Sequence, residues 1–115
     1  MKLGDIVSRL VINPRKLTEY ALNPDNPIGG DKAVMFQLHL GFTRDNYQPL
    51  LAQISAQALD AEAILGKTDE HGQRYRVDLE ITGIQGQQEI VRTGWIVEPG
   101  SDAARLVTLF VRRRR

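Results

Sequence analysis

A chain of 115 residues is long enough for one hydrophobic core and too short for two, because smaller units bury too little surface to be stable alone. Its 42% hydrophobic and 25% charged residues are those of an ordinary globular protein, and a sequence without cysteine excludes disulfides, thiolate zinc sites and cysteine nucleophiles. The net charge of +1 rests on Arg112 to Arg115, without which the body carries −3, so nucleic-acid binding would need a local patch or this basic tail. No apolar run approaches the ~18 residues of a membrane span, and no long apolar segment follows Met1-Lys2-Leu3-Gly4-Asp5 as in a signal peptide. A cytoplasmic protein without membrane contact is expected, with residues 1–115 forming a single domain and 112–115 a basic tail.

Helical signals fill the first half. Pro14 suits the opening of a short helix over Lys16 to Leu22, which Asn23-Pro24 stops, with Leu17, Tyr20 and Ala21 on its apolar face. Asn23 to Gly30 reads as a loop of restricted geometry. Asp31 is expected to cap a second helix that Gly41 ends in the left-handed conformation. That helix is apolar almost all round and is expected to be buried; Lys32 and His39 share its remaining strip, roughly 10 Å apart along the axis. A third helix is expected over Asn46 to Leu59, with Leu50, Leu51, Ile54 and Ala58 on one side and Pro49 in its first turns.

The period then changes from 3.6 to 2. Ala61–Lys67, Arg74–Thr82, Gln87–Val97 and Arg105–Val111 read as strands, and short turns between them favour a four-stranded antiparallel β-meander. The class is therefore α+β, with two or three N-terminal helices packed on one face of the sheet. If Gly86 takes the left-handed position of its turn, Tyr75 faces Trp95, Val77 faces Thr93, Leu79 faces Val91 and Asp78 faces Arg92. This register gathers the apolar residues on one face and sets Arg74, Arg76 and Arg92 on the other, beside Gly94.

Arg92 has two readings in that register: a structural partner of Asp78, or a planar fork for a phosphate or carboxylate. Gly29-Gly30-Asp31-Lys32 reads as a capped turn or, against it, as an anion site at a helix N-terminus; it lacks phosphate-loop spacing. His39 and His71 are the only histidines and show no metal-ligand spacing, so no metal or cofactor is expected. No serine lies in a Gly-x-Ser-x-Gly elbow. Trp95, like Tyr20, Tyr47 and Tyr75, reads first as core and second as a stacking surface for a base. The last strand is apolar on both sides, so it is either central in the sheet or covered by a partner.

Lys16-Leu17, Tyr20, Leu22-Asn23-Pro24, Pro27, Gly29-Gly30-Asp31-Lys32-Ala33, Phe36 and Leu40-Gly41 together form a signature. With Arg92-Thr93, Trp95-Ile96 and Arg105-Leu106-Val107-Thr108 it resembles the bacterial domain of unknown function 6883 family over most of the chain. That resemblance implies no activity. Neither histidine belongs to the family's motif, and Leu109-Phe110-Val111 departs from its Ala-Tyr-Pro-like ending. The element order is also similar to that of small ribonuclease toxins of the barnase, colicin and RelE type, an analogy of architecture alone.

If the analogy extends to chemistry, the chain is a toxin-like domain for metal-independent RNA cleavage or RNA binding. Arg92 and Arg105 would stabilise phosphate, Thr108 would position it, Lys32 or His39 would act as acid or base, and Arg74, Arg76 and Trp95 would bind the strand. The competing reading is a non-catalytic interaction module, either an antitoxin-like protein partner or a subunit of a homodimer.

Overall fold

The computed structural model describes residues 1–112, and its sheet has five strands: β1 (Arg9–Val11), β2 (Ala63–Asp69), β3 (Gly72–Thr82), β4 (Gln88–Val97) and β5 (Ala103–Arg112). Their order is β1-β5-β4-β3-β2. The class is α+β as expected, and strands β2 to β5 form the antiparallel meander. The expectation of four strands is corrected by β1, which pairs parallel with the start of β5, Arg9 beside Ala103 and Val11 beside Arg105. Three residues are too few to show a period of two, and their partner lies more than ninety residues away.

The β3–β4 register is the expected one. Gly86 has φ +84°, the Gly83 N–H donates to the Gln87 carbonyl at 2.7 Å, and the pairs run from Gln73–Val97 through Tyr75–Trp95 to Asp78–Arg92. The last strand is apolar on both sides because of a bulge. Gly94 pairs with Thr108 but Trp95 pairs with Leu106, so Val107 is an extra residue that shifts the phase of the alternation. Leu106, Leu109 and Val111 are all buried with Trp95, Thr93 and Val91 opposite them. Arg105, Thr108 and Phe110 share registers with Ile96, Gly94 and Arg92 on the other face.

Pro14 opens one turn of π-helix at Lys16–Ala21, its carbonyl accepting from the N–H groups of Leu17 and Thr18, and the Leu22 N–H reaches back five residues to Leu17 at 2.8 Å. Helix α1 (Gly30–Leu40) ends at Gly41, which has φ 76°. Asp31 does not cap it. Gly29 is the N-cap without a side-chain bond, because Asn26 already serves this turn: its side-chain oxygen accepts from Ile28 and Gly29 at 2.8 and 2.9 Å, and its carbonyl from Gly30 at 2.8 Å. Nor is α1 buried all round; Ala33, Phe36 and Leu40 are covered, while Val34 and Leu38 face solvent.

Helix α2 (Gln48–Gln57) carries Pro49 in its first turn and tightens into a 3-10 turn at Ala58–Asp60. It buries Leu50 and Ile54. Its Gln53 side chain donates to the Thr82 carbonyl at 2.9 Å and accepts from the Thr82 N–H at 2.8 Å, and Gln57 donates to the Glu80 carbonyl at 3.1 Å. These amides serve the stretch of β3 beyond its pairing with β2.

Trp95, Phe36, Phe42 and a set of leucines and isoleucines form the core between helices and sheet. Thr93 is its buried polar residue: it donates to the Val77 carbonyl at 2.6 Å and accepts from the Trp95 indole N–H at 2.7 Å. Thr93→Val strands that indole donor in the core. The expected loss is about 1–3 kcal/mol in chemical denaturation, with an unchanged denaturant slope.

Candidate functional site

Beyond Arg105, β5 has lost its β1 neighbour, and the chain that leaves β1 returns here. The π-helical turn buries Leu17 and Ala21 and leaves Tyr20 half-buried. Asn26 ties this turn to α1, since its amide donates to the Glu19 carbonyl at 2.9 Å while its oxygens hold the entry to the helix. Gly29 and Gly30 are required by close approach: a Cβ on either would stand 2.5 Å from the Tyr20 carbonyl oxygen or 2.6 Å from that of Pro24. The pair thus fixes a backbone fold. Its outcome is that Lys32, in the first turn of α1, points at Tyr20.

The Lys32 ammonium donates to the Tyr20 hydroxyl at 2.6 Å and to Thr108 Oγ1 at 3.1 Å, and those two hydroxyls are 3.4 Å apart. The same Nζ lies 4.9 Å from the centroid of the Tyr20 ring and 5.5 Å from that of Phe110. Two hydroxyls and two ring faces therefore hold the cation, and none of these groups is a carboxylate. Burial works against ionisation of Tyr20, but hydrogen bonds from Lys32 and Thr108, with the charges of Lys32 and Lys16, outweigh it and hold the phenol below its ordinary value.

Thr108 belongs to the row Arg76–Gly94–Thr108 across the polar sheet face. A Cβ on Gly94 would meet Thr108 Cγ2 at 2.9 Å, so glycine keeps that hydroxyl in place and leaves an open floor between it and the exposed Arg76. Two strand spacings separate the two backbones, roughly 10 Å.

The next row is Asp78–Arg92–Phe110. Arg92 grips Asp78 bidentately, Nε to Oδ1 at 2.8 Å and Nη2 to Oδ2 at 3.0 Å, and Arg112 approaches Asp78 at 3.5 Å. The Arg92 hydrogen bonds, then its charge and those of Arg112 and Arg76, hold the Asp78 carboxyl below its usual range despite partial burial.

The sequence-predicted residues divide accordingly. Lys32 and Thr108 come together. Arg92 lies on the same face with its fork occupied by Asp78. Arg105 is exposed, 3.5 Å from Glu98, in the row of Ile96 and Arg74; Arg74 lies 3.9 Å from Asp69. His39 is half-buried in the last turn of α1 and does not join the cluster. Trp95 is 1% exposed with its indole N–H spent on Thr93, so the expectation that it binds a strand is corrected. Arg112 is the last residue of β5 rather than part of a tail, and Arg113 to Arg115 lie outside the described residues. Tyr20, which the sequence suggests first as core, is half-buried at this cluster; its signal is a phenol in the same signature as Lys32, needing a partner for its hydroxyl.

The family model described as "Domain of unknown function (DUF6883)" matches residues 2–113, and the chain belongs to that family. In three dimensions it is similar to a chain in the contact-dependent growth inhibition toxin–immunity protein complex from Klebsiella pneumoniae 342. The TM-score is 0.71 at 15% identity, over 90% of this chain and 94% of that one, a shared fold. No match was found among curated proteins. No helix among the described residues is long and apolar enough to cross a membrane.

Lys32→Met removes the strongest influence favouring the phenolate, leaving burial less opposed. The Tyr20 phenol is expected to titrate at higher pH than in the wild type, read from its ring Cζ resonance. At Asp78 the folded state binds the proton more weakly than the unfolded chain. Its stabilisation is therefore complete above the ordinary carboxylate range and is lost as pH falls through the lowered folded value. Asp78→Asn is expected to destabilise by about 1 kcal/mol at neutral pH, the pair being partly solvent-screened. That gap should close in denaturation curves taken at progressively lower pH below about 4.

Proposed function

We propose that this chain is a toxin-like domain that cleaves RNA without a metal, with Lys32, Tyr20 and Thr108 at its reaction centre. The observation that carries the reading is the half-buried ammonium held, among the described residues, by hydroxyls and aromatic rings, at the rim of a sheet face bearing Arg74, Arg76 and Arg105. Such a cation is free to meet a phosphate. The fold shared with a chain of a toxin–immunity complex supports the toxin-like part of the reading.

In the reaction proposed, the ribose 2′-oxygen attacks the adjacent phosphorus, its proton passing to solvent hydroxide, and the bond to the 5′-oxygen breaks. A cyclic 2′,3′-phosphate and a 5′-hydroxyl result. Lys32 supplies positive charge to the phosphorane, Thr108 orients a non-bridging oxygen, and the Tyr20 phenol protonates the leaving 5′-oxygen. A phenol below its ordinary value is the better acid for that step. Arg76 and Arg105 hold flanking phosphates, and Arg92 acts as a positioning residue through Asp78.

The purified chain, incubated with total RNA, is expected to cut it equally with and without EDTA, leaving cyclic phosphate ends. Lys32→Ala should slow cleavage by about 10²- to 10⁴-fold while thermal unfolding shows a folded protein. Undiminished cleavage by that variant would sink the assignment. The second reading, a non-catalytic protein partner in a toxin–antitoxin-like pair, draws on edge strand β2, where Ile64 and Leu65 are 46% and 70% exposed. Intact RNA in every lane, together with a protein complex lost on Ile64→Lys plus Leu65→Lys, would favour it.

A further inference from the structure

We infer that the recess between α1 and the end of β5 is a nucleobase subsite adjoining the reaction centre, and that it selects guanine. The inference deepens the RNA-cleaving reading and rests on it. The recess has a volume of about 260 Å³ and is lined by Asp31, Lys32, Met35, Phe110 and Val111. Lys32 is thus a wall of both the recess and the hydroxyl cluster. Larger cavities, of about 430 Å³ beside Leu22 and Phe42, about 510 Å³ beside Leu10 and Leu51 and about 310 Å³ beside Gln57 and Leu79, share no lining residue with that cluster.

The chemistry of the walls selects the occupant. Phe110 is half-buried, and its ring lies 5.5 Å from the Lys32 ammonium. An aromatic face with a thioether beside it takes a flat, polarisable group, and base–aromatic stacking next to a basic groove is a recurrent way for a protein to hold a single-stranded nucleotide. A cation at the border of an apolar recess suits a molecule with an apolar ring and an anionic link, which a nucleotide is. Asp31 is exposed at the mouth and, ionised, can only accept hydrogen bonds. Of the four RNA bases, guanine alone presents two N–H donor groups side by side on its Watson–Crick edge, matching both oxygens of one carboxylate.

The test uses the full chain and two probes: short RNAs with each of the four bases beside the single cleavable ribose, and the corresponding all-2′-deoxy strands, which cannot be cut. Wild type is expected to cut and to bind guanine-bearing strands best. Phe110→Leu and Met35→Ala should weaken binding of the uncut strand by roughly 5- to 100-fold, and Asp31→Asn should level the rates among the four bases. Thermal unfolding of each variant separates loss of the recess from loss of the fold, and Met35→Ala tests the recess if Phe110→Leu fails to fold.

Cleavage without base preference, or Phe110→Leu and Asp31→Asn indistinguishable from wild type, overturns the subsite while leaving the RNA-cleaving reading standing. Uncut RNA with guanine-dependent binding that Phe110→Leu abolishes overturns the cleavage reading and supports the subsite. Neither cleavage nor binding overturns both.

Discussion

The parallel pairing of β1 with the first three residues of β5 is the constraint from which the rest follows. It inserts the N-terminal strand at one edge of the meander and ends at Val11, ahead of the helical turn that Pro14 opens. The remaining edge of β5 has to be closed by something else. A π-helical turn and the start of α1 close it, bringing the Tyr20 hydroxyl and the Lys32 ammonium to Thr108. At the opposite side the same need is met by Gln53 and Gln57, whose amides stand in for a missing strand beside β3. Both ends of the sheet thus end in side chains, but at one of them a cation, that of Lys32, rests on two hydroxyls and two rings.

The two faces of the sheet divide the labour. On the helix side, burial is nearly complete and the polar residue Thr93 is fully satisfied by Val77 and Trp95. On the other side, charge is organised in rows. The Asp78–Arg92 pair, with Arg112 alongside, satisfies itself, whereas the row of Arg76, Gly94 and Thr108 is open at its centre. A glycine in mid-strand weakens a sheet, and here its missing side chain is what lets Thr108 hold its rotamer.

Much of this was legible in the chain itself. Alternation along Arg74–Thr82 and a glycine at residue 86 were enough to set the β3–β4 register, and so to place Asp78 against Arg92, because a hairpin's pairing follows from local turn geometry. Lys32 and Thr108 were recognisable as chemistry-bearing residues of the family signature. Their meeting was not, since it depends on a tertiary crossing from residue 20 to residue 108 that no local period encodes. The same holds for β1, too short to carry a pattern. Asp31 has the residue type of a helix cap, but Asn26, several residues earlier, takes the N–H groups of Ile28, Gly29 and Gly30. Trp95 was placed on the right face, and burial then decided its role.

The extra residue Val107 has a meaning beyond local geometry. In a regular strand, parity rules: whatever faces the core at one end determines what faces it at the other. The bulge cuts that linkage, so Ala104 and Leu106 answer to one register while Leu109 and Val111 answer to another. The two halves of β5 are in this sense separately addressable. The distal half, which carries Thr108 and Phe110 toward the lysine, can change its outward-facing residues without disturbing the frame that seats the proximal half beside β1.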